Sequence, residues 1–265
     1  ERPDGIMSRM SGHGDRICVI KVGSAVVAPG GALRPDVVER LAGEIAAAHR
    51  AGIRVVVVAS GAVACGRAGM GYERMPERIS ERQAAAAIGQ PLLMRCWIDA
   101  LAVNGVTAAQ VLLTAEDVDF RARFVNAHRT LETLLGAGVV PVLNENDSVA
   151  FDEIKVGDND RLCALVAGLV GAGRLVILSV ADGVRADGGR GEIIPEIRDF
   201  DAAVVHVAPG SSSVGTGGMG TKLDTARIAR EMGVATVIAD GTAEGVLTRA
   251  LAGDPGGTRV PVLAD

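Results

Sequence analysis

Aromatic residues are scarce in this sequence, with four Phe, one Tyr and one Trp among 265 residues. Proteins that bind single-stranded nucleic acid stack bases on aromatic side chains, and nucleic-acid binders in general carry basic surfaces. The net charge of −5 offers no such surface and no attraction to an anionic membrane. One apolar stretch, Leu162–Ala181, is broken by glycines into two segments too short to span a bilayer. We therefore expect neither a nucleic-acid partner nor a membrane partner.

The four cysteines and four histidines are few and scattered. No two cysteines form a C-x-x-C pair, so the sequence indicates neither a disulfide framework nor a zinc site. Because the histidines lie in different predicted elements, base catalysis by histidine is not expected. Isolated thiols suit a reducing compartment, and we expect a cytoplasmic protein.

Hydrophobic residues make up 48 % of the chain and are mostly aliphatic, as is typical of Val/Ile/Leu strands packed under Ala-rich helices. Predicted strands and helices alternate, which indicates one α/β domain over residues 16–265 after a disordered leader at 1–15. The predicted strands are Ile17–Val22, Arg54–Ala59, Val106–Leu113, Val139–Leu143, Arg174–Val180, Ala203–Val207 and Val234–Ala239. The predicted helices are Pro35–Ala51, Ser80–Asn104, Glu116–Leu135, Leu162–Leu169 and Ala243–Leu251, with Arg67–Arg82 as a long mobile loop.

Polar residues cluster where the predicted strand Val139–Leu143 ends. The strand is followed directly by Asn144, Glu145, Asn146 and Asp147. After a predicted hairpin at Val149–Val156, Asp158-Asn159-Asp160 opens the next helix. In open α/β sheets, ligands bind at the carboxyl ends of strands, so a site is expected here. Helix capping is the alternative for any one residue, but it does not explain two polar clusters that bracket one hairpin.

Two other strand ends carry residues suited to an anion. Lys21 lies at the end of a buried strand, before Gly23-Ser24, and burying its ammonium group is costly unless it meets an anion. The next strand runs into Ser60-Gly61-Ala62, where a ligand can approach the backbone closely. The alternatives are a lysine that reaches solvent at the sheet rim and an ordinary strand-to-helix turn.

The segment Gly210–Lys222, GSSSVGTGGMGTK, is the strongest local signal. It combines a glycine-rich loop, a predicted helix start and a cation, which together can bind an anion. It does not fit the spacing of a Walker A motif, and a plain glycine-rich linker is the alternative. Lys21, Lys222 and free loop amides suit a polyphosphate, while the nearby carboxylates suit Mg²⁺ or the ammonium group of a small substrate. Such a set suits phosphoryl transfer, which needs alignment and charge neutralisation, and a carboxylate acceptor needs no general base.

Seven short motifs lie along the chain: KVGS at Lys21–Ser24, SGA at Ser60–Ala62, AIGQ at Ala87–Gln90, VLLT at Val111–Thr114, NEND at Asn144–Asp147, IKVGDND at Ile154–Asp160 and GTGGMGTK at Gly215–Lys222. In their order and spacing, over about residues 16–250, they resemble the motifs of the glutamate 5-kinase family, within the amino-acid kinase superfamily. The resemblance implies a three-layer α/β/α sandwich with an open, mainly parallel sheet. It also implies ATP- and Mg²⁺-dependent phosphorylation of the L-glutamate side-chain carboxylate to glutamyl 5-phosphate, the first step of proline biosynthesis.

The resemblance also implies roles for individual residues. Lys21 and Lys222 would contact the transferring phosphate, and Asp160 would hold the two lysines in place. The positions that match the substrate site are Ser60, Gly61, Ala62, Asn144, Asp147, Asp158 and Asn159. The positions that match the nucleotide site are Lys21, Gly23, Ser179, Gly217, Gly218, Met219, Gly220, Thr221 and Lys222. No metal ligand on the protein is assigned.

Regulation and assembly are further implications of the resemblance. Proline would inhibit at a site that overlaps the glutamate site, with Arg67–Gln90 as the segment that carries this control. A homo-oligomer, dimer or tetramer, is implied. The RNA-binding-like C-terminal domain of many family members has no counterpart in this sequence.

One segment departs from the family pattern. Val180 follows Ser179 where the family has Asp, Gly183-Val184-Arg185 replaces Gly-Leu-Tyr, and Asp187-Gly188 replaces Asp-Pro. Because this segment would border the nucleotide, the departures point to altered nucleotide affinity or base preference. Two alternatives stay open: a paralogous amino-acid kinase acting on another small carboxylate, and a non-catalytic sensor of glutamate, proline or nucleotide. The retained lysines argue against the sensor.

Overall fold

A computed structural model of the chain describes residues 16–150, 158–206, 218–254 and 256–262. Within these residues, seven strands form one sheet in the order β3-β4-β2-β1-β5-β6-β7. The strands are β1 Ile17–Val22, β2 Arg54–Ala59, β3 Ala108–Leu113, β4 Val140–Glu145, β5 Arg174–Ser179, β6 Ala235–Asp240 and β7 Thr258–Val260. Neighbouring strands are parallel, except that β7 runs antiparallel to β6 at the edge.

Helices connect the strands and cover both faces of the sheet. They are α1 Ser24–Val27, α2 Pro35–Arg50, α3 Ala62–Gly66, α4 Ile79–Val103, α5 Ala115–Asp119, α6 Arg121–Gly136, α7 Asp158–Leu169, α8 Phe200–Val204, α9 Met219–Glu231 and α10 Val246–Ala252. Short 3₁₀ turns lie at Pro29–Gly31 and Arg67–Met70, and a helical turn at Ala186–Gly189 is interrupted by left-handed residues.

Helix α2 shows how the sequence determines these elements. Pro35 stands at the first helical position, where its fixed φ suits the helix and its missing N–H costs nothing. Val38, Leu41, Ala42 and Ile45 recur three or four residues apart, and all four are buried. The apolar stripe therefore packs α2 onto the sheet.

The buried residues form two cores, one on each face of the sheet. One core includes residues of α2, α4 and α10, such as Ile45, Trp97 and Leu247. The other includes residues of α6, α7 and α9, such as Leu131 and Val166. The predicted three-layer α/β/α sandwich with a mainly parallel sheet is confirmed.

Some predicted elements differ in the structure. The predicted strand Ala203–Val207 is wrong, because Asp199 accepts hydrogen bonds from the backbone N–H groups of Asp201 and Ala202 and so starts the helix α8. The predicted helix Glu116–Leu135 is two helices, α5 and α6, separated at Phe120. The predicted leader lies outside the described residues, as does the predicted hairpin apart from its first two residues.

Helix α4 is long and apolar enough to cross a membrane by length and composition alone. It contains Pro91, it carries an exposed ion pair between Arg95 and Asp99, and its buried residues, Trp97 among them, pack in the core beneath the sheet. These features are those of a core helix. The stretch Leu162–Ala181 is divided, as predicted, into the end of α7 and the strand β5.

Candidate functional site

The carboxyl ends of β1, β2 and β4 open into one cavity, which the start of α7 also lines. The strand β1 lies between β2 and β5, where the strand order changes direction, and such switch points are the usual ligand sites of open α/β sheets. One side of the cavity lies beside Lys21 and Asp160, and the other side lies beside Ser60 and Asp147. We call them the Lys21 side and the Asp147 side.

The alternation of side chains along β1 determines where Lys21 points. Cys18, Ile20 and Val22 belong to the core under α2 and α4, whereas Val19 belongs to the opposite core. Because successive residues of a strand face opposite sides, Lys21 lies on the face covered by α7 and α9. Those two helices carry the residues that it meets.

Two lysines from distant parts of the chain converge on one aspartate. Lys21 Nζ lies 2.5 Å from Asp160 Oδ1, and Lys222 Nζ lies 3.6 Å from Asp160 Oδ2. All three side chains are at most 7 % exposed. Thr221 Oγ1 lies 2.9 Å from Asp160 Oδ2 and can donate to it. Two ammonium groups and one carboxylate leave this buried cluster with one net positive charge.

The pKa values of the cluster follow from burial and from the charges within it. Burial raises the pKa of Asp160, but the charges of Lys21 and Lys222 and the Thr221 hydrogen bond outweigh it, so this pKa lies below its usual range. Burial lowers the pKa of Lys222, as does the charge of Lys21, while Asp160 opposes that change. An additional anion beside the lysines would offset the repulsion between their two ammonium groups, so the cluster is suited to binding phosphate.

A buried thiol supports the same helix turn. Cys163 Sγ lies 2.8 Å from the backbone carbonyl oxygen of Asp160, to which it can donate. Burial raises the pKa of the Cys163 thiol, so the thiol stays protonated. It acts as a packing residue behind the charge cluster.

A chain of side-chain amides joins three elements around the site. Asn144 at the end of β4 donates to Gln90 Oε1 of α4 at 2.6 Å, and Asn159 of α7 donates to Asn144 Oδ1 at 2.9 Å. The backbone N–H of Glu145 contacts both asparagines. Gln90 ends both the AIGQ motif at Ala87–Gln90 and the segment Arg67–Gln90 predicted to carry proline control, but this contact with Asn144 was not predicted. The start of α7 is thereby tied to the end of β4.

Six of the substrate-site residues predicted from sequence line the cavity. They are Ser60, Gly61, Ala62, Asn144, Asp147 and Asn159. The backbone of Asp158 begins α7, but its side chain lies outside what the structure describes. Burial raises the pKa of Asp147 to about 6, against an opposing effect of the Arg82 charge. Arg67 and Arg82 line the same cavity; they belong to the segment Arg67–Gln90 predicted to carry proline control, and neither was predicted individually as a substrate-site residue.

Two glycines allow the backbones of α3 and α4 to pack in direct contact. A Cβ at Gly66 would lie 1.8 Å from the carbonyl oxygen of Ala85, and one at Gly89 would lie 1.9 Å from that of Ala62. The two helix backbones therefore touch, and only glycine fits at either position. Gly61, with φ of 118°, makes the turn that leads from β2 into this packed pair.

Comparisons with known proteins identify the family of this chain and confirm its fold. The model of the amino acid kinase family matches residues 16–240. The glutamate 5-kinase of Pelobacter propionicus is 45 % identical over 91 % of this chain and 66 % of its own length, and that of Thermus thermophilus has the same identity and coverage. The glutamate 5-kinase of Serratia marcescens is 42 % identical over 95 % of this chain and 70 % of its own length. The chain belongs to the glutamate 5-kinase family. It spans about two thirds of the length of these relatives.

A solved structure with the same fold is the crystal structure of N-acetylglutamate synthase from Neisseria gonorrhoeae complexed with coenzyme A and L-arginine. It matches 99 % of this chain and 64 % of that chain with a TM-score of 0.71 and 18 % sequence identity. At this identity, the likeness shows the fold alone. It agrees with the glutamate 5-kinase family assignment.

The positions that match the family's nucleotide site lie beside the charge cluster. Gly218 directly precedes α9, and the first turn of α9 contains Met219, Gly220 and Thr221. Gly217 lies outside the described residues. Ser179 ends β5, next to the end of β1. Gly23 donates its N–H to Leu178, so this amide is not available to a phosphate, and a Cβ there would lie 3.8 Å from Lys21 Nζ. Gly23 therefore contributes close approach beside the lysine.

Most departures from the glutamate 5-kinase pattern fit the structure of their loop, and nothing in the structure explains the one at Val180. Val184 is fully buried, as the family's leucine would be, and Arg185 is bound within its own loop by both carboxylate oxygens of Asp182 and by the carbonyl of Gly191. Gly188 has φ of 65°, which the proline of the family sequence could not adopt, so this loop takes its own path. Val180 has no such partner role and is 58 % exposed.

Among the described residues, no group of three or more His, Cys, Asp or Glu could hold a metal ion. Asp160, the buried carboxylate nearest the phosphate positions, already meets two ammonium groups and a hydroxyl. In this glutamate 5-kinase family member, the described part of the chain thus offers few protein ligands to Mg²⁺.

Proposed function

We propose that this protein transfers the γ-phosphoryl group of ATP to the side-chain carboxylate of L-glutamate and so catalyses the first step of proline biosynthesis. The observation that supports this function most strongly is the buried Lys21–Asp160–Lys222 cluster, with its net positive charge at the end of a cavity. The relatives named above carry the same activity in their names.

The reaction asks little covalent chemistry of the protein. The γ-carboxylate of glutamate is ionised at neutral pH, because its pKa is about 4.3. One of its oxygens attacks the γ-phosphorus in line, the bond from that phosphorus to the β,γ-bridging oxygen breaks, and ADP leaves with those electrons. Lys21 and Lys222 donate hydrogen bonds to oxygens of the transferring group, and Asp160 keeps both ammonium groups in position.

Glutamate is proposed to lie against the ends of β2 and β4. Asp147 accepts hydrogen bonds from the substrate ammonium group, and its burial strengthens that interaction. Asn159 is held by Asn144 and directs the acceptor toward Lys21, and the Ser60-Gly61-Ala62 turn allows close approach of the substrate to the backbone.

The nucleotide is proposed to bind along the segment 217–222, with Gly23 and Ser179 at its sides. Mg²⁺ enters with the nucleotide, because this ion is commonly held by substrate phosphates and water with few protein carboxylates. When bound, it would neutralise phosphate charge alongside the two lysines. We further propose a cytoplasmic homo-oligomer that proline inhibits by competing for the glutamate site.

A hydroxylamine-trapping assay tests the function. Purified protein is incubated with ATP, Mg²⁺ and one acid at a time, namely glutamate, aspartate or N-acetylglutamate, and the acyl hydroxamate is measured. Hydroxamate from glutamate alone supports the proposal. Product only from another acid would identify a paralogous kinase, and nucleotide binding without any product would identify a sensor.

A further inference from the structure

Arg82 is a half-buried cation that lines the cavity together with Ser60, Asp147 and Asn159. It has no hydrogen-bond acceptor or ion-pair partner among the described residues. Arg67, the other arginine of this cavity, already donates to the carbonyl of Gly30. All the guanidinium donors of Arg82 are therefore available to a ligand, whereas Arg67 has one donor engaged.

Two contacts hold the helix that carries Arg82. Arg82 belongs to the first turn of α4, and its neighbour Gln83 donates to the carbonyl of Ala150 at 3.1 Å, which anchors that turn to the segment after β4. Arg82 is also seven residues before Gly89, on the face of α4 that contacts α3. Gly89 packs against Ala62 at the turn that follows β2, and Arg82 lies about 10 Å from this contact along the helix axis.

Arg82 and Asp147 carry opposite charges but do not form an ion pair within 4.0 Å, although both face the same cavity. Their charges interact, since Arg82 favours the ionised form of Asp147. An α-amino acid offers an ammonium and a carboxylate group on one carbon, which matches two opposite charges that line one cavity without pairing with each other.

We propose that Arg82 binds the α-carboxylate of the amino-acid substrate, opposite Asp147, and so selects for a zwitterionic acceptor. This inference rests on the proposed function, because it names a contact within the same acceptor site. Arg82 is then a specificity residue, remote from the transferring phosphate. Its contribution should appear in substrate affinity more than in kcat.

Two analogues of glutamate separate this contact from its neighbour. 4-Aminobutyrate keeps the γ-carboxylate and the amino group but lacks the α-carboxylate, and glutarate lacks the amino group. A charge-assisted hydrogen-bond pair corresponds to about 10- to 100-fold in affinity. We expect the unmodified protein to bind glutamate more tightly than 4-aminobutyrate by about that factor.

The test measures glutamate and 4-aminobutyrate binding by calorimetry and hydroxamate formation by kinetics, for the unmodified protein and Arg82→Gln. We expect Arg82→Gln to weaken glutamate binding about 10- to 100-fold, to leave 4-aminobutyrate binding unchanged within about threefold, and to preserve KM for ATP. Arg82→Lys keeps the charge without the planar fork and should lose part of the affinity. Arg78→Gln, at the exposed residue before α4, is the matched control.

An equal loss for both ligands, or unchanged glutamate binding, would overturn the inference. So would a loss of discrimination in Arg67→Gln with none in Arg82→Gln. Calorimetry keeps this result separate from the proposed function: a protein that binds glutamate through Arg82 but forms no hydroxamate refutes the kinase activity and supports the contact.

Discussion

The two sides of the cavity, the phosphate side at Lys21 and Asp160 and the acceptor side at Ser60 and Asp147, differ in how the charge of the aspartate is compensated. Asp160, on the phosphate side, is surrounded by two ammonium groups and a hydroxyl, and its pKa lies below its usual range. Asp147, on the acceptor side, is half-buried without such partners among the described residues, and its pKa is raised to about 6. One carboxylate is therefore compensated by the protein, and the other is compensated only when a ligand arrives.

This difference separates two tasks of a phosphotransferase. Charge that must meet a transition state is most effective when it is already in place, because no reorganisation is then needed during the reaction. Charge that selects a substrate has to be left open, because a satisfied group gains nothing from a ligand. The phosphate side should thus govern kcat and stability, and the acceptor side should govern KM and its pH dependence.

The largest effect is expected from Lys222→Met. This change removes one cation from the transferring phosphate while Asp160 keeps Lys21 and Thr221, so the fold is retained. We expect kcat for hydroxamate formation to fall about 10²–10³-fold, as for loss of one preorganised charge contact. The midpoint of urea unfolding should stay close to that of the unmodified protein.

A loss of glutamate affinity in Lys222→Met, with kcat nearly unchanged, would contradict the division between the two sides. Arg95→Gln is a suitable control, because Arg95 forms only an exposed pair with Asp99 on α4. Its kinetics should match those of the unmodified protein.

Asp160→Asn should instead affect stability. Without the carboxylate, the buried ammonium groups of Lys21 and Lys222 lose the anion that both of them contact. Removing one partner of a buried ion pair typically costs about 3 kcal/mol or more, and we expect the free energy of unfolding to fall by that amount at pH 7.

The matched control for Asp160→Asn is Asp99→Asn, which breaks the exposed pair with Arg95 and should cost under about 0.5 kcal/mol. ATP should restore more stability to Asp160→Asn than to the control, because its phosphates replace the missing anion. Equal stabilities for the two variants would show that the cluster is not held together by its charges.

The acceptor side should respond to pH. Bound glutamate needs ionised Asp147, whose pKa in the free protein is about 6, so binding weakens as the pH falls through this value. We expect KM for glutamate to rise about fivefold between pH 6 and pH 5, because the ionised fraction of Asp147 falls from about one half to about one tenth, while the γ-carboxylate of the substrate stays largely ionised. Asp147→Asn should remove this dependence.

Glutarate provides the control for the pH experiment, because it has no ammonium group for Asp147 to bind. Its KM should not rise as the pH falls from 6 to 5. A parallel rise for glutamate and glutarate would place the titrating group on the phosphate side, against the low pKa of Asp160.

Much of the fold and the contents of the site could be predicted from the sequence. The parallel strands are buried on both faces and appear as short Val/Ile/Leu runs, and polar or glycine residues follow the ends of β1, β2 and β4. Lys21 was predicted to need an anion because it lies at the end of such a strand. The predicted strand Ala203–Val207 was wrong because the Asp199 side chain caps the start of a helix there. The valines that suggested a strand also occur in helices.

Contacts between helices were beyond the reach of sequence patterns. Gln90 and Arg82 look like ordinary polar residues of a helix, and only the packing of α4 against α3 and β4 brings Arg82 to the cavity and Gln90 to Asn144. The contact of Gly66 with Gly89 carries no local signal, since it depends on two backbones meeting in space. Residues that support a site from a neighbouring helix are therefore the ones that sequence reasoning missed.

The smallest effect is expected from restoring the family residue at position 180. Val180 is 58 % exposed, and an exposed charge is screened by water, so an aspartate there contributes at most about 1 kcal/mol. We expect Val180→Asp to lower KM for ATP by less than about fivefold and to leave KM for glutamate unchanged. A larger gain would mean that the nucleotide site of this chain is weakened at one position, and the preformed cluster at Lys21 and Lys222 would then not suffice to hold the nucleotide.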